Sequence, residues 1–374
     1  MPELFGQIRF ASMTGRTPWS GITATGNAVV ANAADPLDTL ATLERLSQAT
    51  RHAGFFSYDL GRCFEDLPTT NPDKPQLPLF AFVPVDESPA ALSGAAHADG
   101  EQSRVIMSTF TRPAYEAAVQ RCLDYIAAGD VFQINLSQRL AVRTDHTPLE
   151  LFVELQDHFP AEYTALLDFG HFAIVSNSPE LFLKVERLPD GRRRIINRPI
   201  KGTRPNAPGM ADELLHSEKD QAELAMIVDL QRNDLGRICE IGSIKVNEPR
   251  TIETHPTVLH GVATVEGILR ENVSLTDILR ATFPCGSITG CPKIRAMQII
   301  DELEPVRRGA YCGAIGWIGG GEMELSVAIR TMTLHDGVAY VPVGGGIVAD
   351  STPAAEYEET LVKARAMLAA LGVR

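Results

Sequence analysis

The chain has 374 residues, 44% of them hydrophobic, which is enough to bury one large core or two ordinary ones and excludes bulk disorder. Its 34 Lys and Arg stand against 47 Asp and Glu, a net charge of −13 that argues against nucleic acid or an anionic membrane as partner. A local cluster of Arg, Lys and backbone amides could still hold a small anion. The six cysteines (Cys63, Cys122, Cys239, Cys285, Cys291 and Cys312) show neither C-x-x-C nor metal-ligand spacing, so reduced thiols are expected. The N-terminus MPELFGQIRF has no charged n-region or apolar h-region, and no apolar run reaches bilayer length, so the expectation is a soluble, unprocessed, cytoplasmic protein.

In chain order, a modest N-terminal lobe over residues 1–103 precedes a region over 104–374 that carries nearly all the chemical motifs. A Pro- and Ala-rich stretch from Leu67 to Gln102 joins them, an irregular connection with one short strand, LFAFV. A helix is then well signalled, with Thr111 as N-cap, Pro113 early, Tyr115, Ala118, Val119, Cys122, Leu123 and Ile126 on one face, and Gly129 as the stop. In the strand VFQINLSQRL, Ile134 and Leu136 alternate with a polar row of Gln133, Asn135 and Ser137, which suits a solvated sheet face as well as a binding site. Strands also fit FAIVSNSPELFLKV, RRRIIN, ELSVAIRTMTL and VAYVPVGGG, and helices fit EKDQAELAMIVDLQRNDL and Pro353 to Leu371, the latter with Thr352 as N-cap and Gly372 beyond its end. Without strict βαβ alternation, the fold class is α+β with large antiparallel sheets.

Four places invite chemistry, each with a plainer alternative. Glu356, Glu359 and Lys363 share a helix face, which is either a solvated ion-paired face or, after the glycine run of VPVGGGIVADS, part of an anion site. Glu223 shares its face with Met226, Ile227 and Leu230, so it is either a core ion pair with Arg232 or Arg237, or a metal ligand. Lys201 in RPIKGTRP is either a surface-turn lysine or a desolvated amine able to act as a nucleophile. Glu180 in SNSPELFL is either a loop carboxylate or a general acid.

Seven segments, GDVFQINLSQR, SNSPELFL, RPIKGTRP, AMIVDLQRNDLGRIC, PCGSITGCPKIRAM, YCGAIGW and GGGIVADSTPAAEYEETLVKAR, together resemble the chorismate-utilising enzymes in order and approximate spacing. HAGFFSYDLGRCFEDLP in the N-terminal lobe is similar to the same family. The resemblance implies an α/β complex sandwich like that of anthranilate synthase component I, with two large antiparallel sheets packed together, helices outside and the site between the sheets. It further implies Mg²⁺ at Glu223 and Glu359 with Glu356 close by, and substrate carboxylates held by Arg330, Tyr311, Lys363 and the Gly346 amide. Around the ring it places His260, Ser287, Thr289 and Thr203.

Within that family, members that hydrate the ring resemble one another in carrying a lysine where this chain has Gln133, which disfavours isochorismate or salicylate synthesis. P-I-K-G-T at Pro199 to Thr203 looks like the aminodeoxychorismate synthases, whereas anthranilate synthases look like P-I-A-G-T and carry an L-L-E-S element absent here. The implied reaction is attack of Lys201 on ring C2 with Glu180 protonating the departing C4 hydroxyl, followed by ammonia at C4 in a folate-type 4-aminobenzoate route. No cysteine occupies a G-x-C-x-G nucleophile turn, so ammonia is expected from a separate glutamine amidotransferase subunit. With the last motif ending near Arg374, no lyase domain is expected to follow. The alternatives are anthranilate synthase component I, and an inactive paralogue that serves as a binding subunit.

Overall fold

The computed structural model describes residues 4–13, 19, 21–31, 34–67, 71–72, 74–85, 103–255 and 258–373. Most of the Leu67–Gln102 connection lies outside them, but its expected strand is present as Phe80–Pro84. All strand pairings among the described residues are antiparallel, and they form two sheets. The nine-stranded sheet runs Gly290–Cys291, Gln133–Arg143, Val338–Ile347, Thr331–His335, Ala173–Ser178, Tyr163–Asp168, Phe5–Ala11 and Thr23–Asn27, with Arg104–Ser108 also paired to Gln133–Arg143. The ten-stranded sheet runs Ile200–Pro205, Val258–Ile268, Arg193–Arg198, Leu181–Arg187, Glu322–Val327, Ala314–Gly319, His52–Phe56, Phe80–Pro84 and Val29–Ala31, with Lys245–Thr254 paired to Val258–Ile268. The N-terminal strands therefore complete an edge of each sheet.

Alternation along the strands decides the layering. Ile8, Leu167 and Ile174 from one sheet interdigitate with Phe55, Val83 and Ile315 from the other, so the sheets pack face to face. The helices Pro148–His158 and Pro353–Ala370 cover the outer face of the nine-stranded sheet through Leu151, Leu155, Ala364 and Met367. Leu40, Leu224, Val228 and Ile278 bring three further helices onto the outer face of the ten-stranded sheet. The result is the expected α+β sandwich with helices outside.

Two helices arise where the local signals place them. Arg112–Ala127 begins where the Thr111 side chain accepts from the Ala114 amide, and Pro353–Ala370 follows Thr352, although the Thr352 side chain makes no cap hydrogen bond. Ile134 and Leu136 pack beneath helices Arg112–Ala127 and Lys293–Leu303, while Gln133, Asn135 and Ser137 are buried as well. The polar row is thus an interior surface, and the solvated alternative falls.

The glycine run falls where the strand VAYVPVGGG was expected: Gly344, Gly345 and Gly346 lie inside the Val338–Ile347 strand, opposite Ser137, Leu136 and Asn135. They let other groups approach closely: a Cβ at Gly345 would stand 3.0 Å from Glu356 Oε2, and one at Gly346 would stand 3.4 Å from Lys201 Nζ.

Candidate active site

Two crossings between the sheets build the centre of the site. FAIVSNSPELFLKV divides into Ala173–Ser178 in the nine-stranded sheet and Leu181–Arg187 in the ten-stranded one, with Pro179 and Glu180 at the crossing. ELSVAIRTMTL divides likewise into Glu322–Val327 and Thr331–His335, and Arg330 stands at that crossing with φ 50° in the left-handed region. The crossings are tied together: the Val327 amide donates to the Glu180 carbonyl at 3.0 Å, and the Asn177 amide donates to the Arg330 carbonyl at 2.9 Å. Backbone leaving one sheet for the other thus fixes an acid and a guanidinium near the sheet interface.

Lys201 is aimed inward by a bulge. Pairing of Ile200–Pro205 with Val258–Ile268 shifts register between Ile200 and Thr203, and Gly202 sits at φ 83°, where a Cβ would collide with Leu214 Cδ1 at 2.6 Å. Only 14% of the Lys201 side chain is exposed, which removes the surface-turn alternative. Its Nζ donates to Gln133 Oε1 at 3.4 Å and lies 3.9 Å from Glu223 Oε2. Burial pushes the amine below the usual lysine range; Glu223, Glu180 and Glu359 oppose that, while Lys363 reinforces it.

Glu223 and Glu359 lie around this amine, with Glu356 beside Glu359. Glu223 has Lys201 and Lys219 as its cations, each at 3.9 Å, and not Arg232, which pairs with Asp229. Glu359 binds Lys363 Nζ at 2.7 Å, and that ion pair outweighs burial to hold its carboxyl below the usual range. Lys363 also donates to the Gly344 carbonyl at 3.0 Å. Glu356 is 6% exposed, and its Oε1 accepts from Ser351 at 2.6 Å while its Oε2 has no hydrogen-bond partner. Burial pushes its carboxyl up, partly offset by Ser351.

Among the described residues no three His, Cys, Asp or Glu converge closely enough to hold a metal unaided. The donors present are nonetheless hard carboxylate oxygens, one of them buried without a partner. That set fits a cation such as Mg²⁺, which keeps few protein carboxylates and completes its shell with waters and ligand oxygens.

Glu180 is buried, and Ser287 Oγ donates to its Oε1 at 2.7 Å. Burial raises its carboxyl to about 7 against the pull of Ser287 and Lys201, so near neutrality it can hold or release a proton. Burial also lowers His260 to about 4, with His255 and Arg330 acting in the same direction, so its ring is neutral and shares a 3.0 Å hydrogen bond with Thr203. Arg330 is within electrostatic reach of Tyr311 and Glu359, and its guanidinium has no ion pair or hydrogen bond among the described residues. Thr289 is the exception among the expected ring neighbours: it is fully buried and its hydroxyl donates to the Cys285 carbonyl at 3.1 Å.

Sequence reasoning missed two supports. Lys219 is legible as the i,i+4 partner of Glu223 on a helix. Ser351, which holds Glu356, lies just before the helix start and carries only a capping signal.

A profile of the family described as chorismate binding enzyme matches residues 86–369. The chain is 45% identical over 273 residues to anthranilate synthase component 1 of Pseudomonas aeruginosa, a match that covers 71% of this chain and 54% of that relative. It is 39% identical over 346 residues to aminodeoxychorismate synthase component 1 of Escherichia coli, covering 84% of this chain and 75% of that relative. The match thus spans about half the length of the first relative and three quarters of the second. The crystal structure of anthranilate synthase component I from Streptococcus pneumoniae superposes with a TM-score of 0.77 at 29% identity, over 98% of this chain and 90% of that one.

Proposed function

The chain belongs to the chorismate-binding enzyme family, and we propose that it aminates chorismate at ring C4 with ammonia to give 4-amino-4-deoxychorismate. The observation that carries this reading is Lys201, an amine turned inward by a bulge, largely desolvated, and beside a buried acid whose carboxyl is raised to about 7. Desolvation favours the neutral amine, the form with a free electron pair.

In the proposed sequence Lys201 Nζ forms a bond to ring C2 as the two conjugated ring double bonds shift and the C4–O bond breaks. Glu180 gives its proton to the departing oxygen, which leaves as water, and the amine sheds a proton as it becomes a secondary amine. Ammonia then adds at C4, both double bonds shift back, and the C2–N bond to Lys201 breaks as the proton shed by the added ammonia is taken up by the lysine nitrogen, leaving the enolpyruvyl ether intact. Because hydroxide is a poor leaving group, the acid is essential, and such catalysis is worth about 10²- to 10⁴-fold. A Mg²⁺ ion held by Glu223 and Glu359, with Glu356 beside them, would anchor and neutralise a substrate carboxylate.

Arg330, Tyr311, Lys363 and the Gly346 amide are the groups assigned to the substrate's carboxylates, and the unpartnered Arg330 guanidinium supports that assignment. His260, Thr203 and Ser287 are assigned to the ring, with Thr289 acting through its loop. Ammonia is assigned to a separate glutamine amidotransferase, in keeping with relatives named component 1. No helix among the described residues is long and apolar enough to cross a membrane, which is compatible with a cytoplasmic place for the reaction.

The second reading is anthranilate formation, favoured by the 45% identity to a relative of that name. Mass spectrometry of the products from purified chain, chorismate, Mg²⁺ and ammonium separates the two. Aminodeoxychorismate supports the C4 reading, and anthranilate, also visible by fluorescence, overturns it.

A further inference from the structure

The proposed chemistry leaves Cys285 without a task, yet its thiol is 1% exposed and lies 3.2 Å from Ser287 Oγ. Ser287 spends its single hydroxyl hydrogen on Glu180 Oε1 at 2.7 Å. Its oxygen can therefore only accept from Cys285, so the S–H points at Ser287. On the far side Gln231 Nε2 donates to Cys285 Sγ at 3.7 Å. The hydrogen bonds then run in one direction: the Gln231 amide to sulfur, sulfur to Ser287, and Ser287 to Glu180.

The surroundings hold this chain in place. Gln231 is 0% exposed, and it reaches Cys285 because residue 286 is glycine: a Cβ there would stand 3.3 Å from Gln231 Nε2 and 2.5 Å from Leu230 Cδ2. The Thr289 hydroxyl fixes the Cys285 carbonyl from within the same loop. Burial, reinforced by Glu180, pushes the thiol up to about 12, so the sulfur keeps its hydrogen through the neutral range.

We propose that Cys285 is a positioning residue for Glu180, committing the Ser287 hydroxyl as a donor to Oε1 so that the transferable proton of Glu180 is carried on Oε2. The role of that proton rests on the reading of Glu180 as the acid. The charged groups facing Glu180 from other elements are Lys201 and Lys363, with the Ile200 amide alongside, and the Cys285 and Cys312 thiols lie nearby. A donor chain favours the carboxylate, and each added link strengthens the next by about 10–30%. Loss of Cys285 should therefore raise the acid's midpoint.

The test follows the carboxylic C=O band of Glu180 against pH in infrared difference spectra, with Glu180→Gln as the subtraction. Wild type, Cys285→Ala and Cys285→Ser are compared, and the pH profile of kcat for chorismate turnover is recorded beside them. In Cys285→Ala the midpoint should rise by about half a pH unit, the alkaline limb of kcat should move with it, and KM should stay put. Cys285→Ser should restore both, because its hydroxyl donates in the same direction. Gln231→Met, which removes the far donor, should shift the midpoint in the same sense by less, and it carries the test if the alanine variant does not fold. A midpoint in Cys285→Ala equal to wild type overturns the proposal. Full turnover by Glu180→Gln would instead overturn the acid role of Glu180, while the infrared midpoint still decides whether Cys285 governs its proton.

Discussion

Two charged clusters, around Arg308 and around Lys201, differ in how completely their members are paired. Around Arg308 the charges are fully paired, although the Tyr58 hydroxyl and Asn135 Nδ2 beside them have no partner. The Arg308 guanidinium donates to both Glu304 oxygens and to the Ile288 and Asn135 carbonyls, and Glu304 Oε1 also accepts from the Ser137 amide and hydroxyl. Tyr58 and Tyr311 flank that guanidinium, at 4.8 and 5.9 Å from their ring centres. Around Lys201 the pairing is looser: Lys363 holds Glu359 at 2.7 Å, but the contacts of the Lys201 amine itself run from 3.4 to 3.9 Å, Gln133 Nε2 and Glu356 Oε2 have no partner, and Arg330 has no ion pair among the described residues. Buried charge is tolerated only when it is paired or awaits a ligand. The Arg308 cluster therefore reads as scaffold, tying the strand Gln133–Arg143 to the Ser287 loop, and on the proposed function the looser one is where a dianionic substrate and a cation would complete the pairing.

That contrast can be broken from either side. Lys201→Ala should lower chorismate turnover by about 10⁴-fold while moving the urea unfolding free energy by less than about 1 kcal/mol. If stability collapses instead, the lysine belongs with the scaffold. Glu304→Ala should do the reverse, costing about 3–5 kcal/mol in the same unfolding assay because Arg308 is left buried and unpaired.

Glu180→Gln should lower kcat by about 10²-fold or more. With the carboxyl at about 7, the proton-donating form is lost as pH rises through that value, so wild-type rate should fall there, and in the glutamine variant this limb should vanish. The smallest effect tests a buried carboxylate outside both clusters. Burial raises Glu324 to about 7 from an ordinary 4.5, Lys184 opposes the shift, and its Oε2 has no partner. The folded state then holds that proton more tightly, so stability is full below about 4.5 and declines as pH rises through about 7. Glu324→Gln should accordingly add about 2 kcal/mol at pH 8 and nothing near pH 4 by urea unfolding.

Much of the layering was legible because it depends on local spacing. Thr111 with Pro113, and Thr352 with Pro353, mark helix starts that need no tertiary context. Alternation separated Ile134 and Leu136 from Gln133, Asn135 and Ser137, but it could not say that both faces are buried, since that depends on which layers cover the strand. The crossings at Glu180 and Arg330 were hidden because strand-forming residues resume directly on either side of each, and nothing in the spacing says that the chain has changed sheet. The glycine run was legible as part of a strand, but its value lies in what approaches it, and Glu356 and Lys201 come from distant segments.

At the site, Glu223, Lys363, Glu180 and Glu359 come within electrostatic reach of Lys201 from distant segments, while Thr289 is turned into its own loop. The partners that set their chemistry, Lys201 with Gln133 and Ser287 with Glu180, are separated by 68 and 107 residues and have no signature in sequence spacing.

The most direct measurement is the mass of the protein itself after incubation with chorismate and Mg²⁺ in the absence of ammonia, followed by peptide mapping. A nucleophilic Lys201 predicts an added mass of chorismate less one water on the peptide that carries it, absent from Lys201→Ala and discharged when ammonium is added. Turnover to aminated product with no such adduct, together with a Lys201→Ala variant that keeps its rate, would contradict the account.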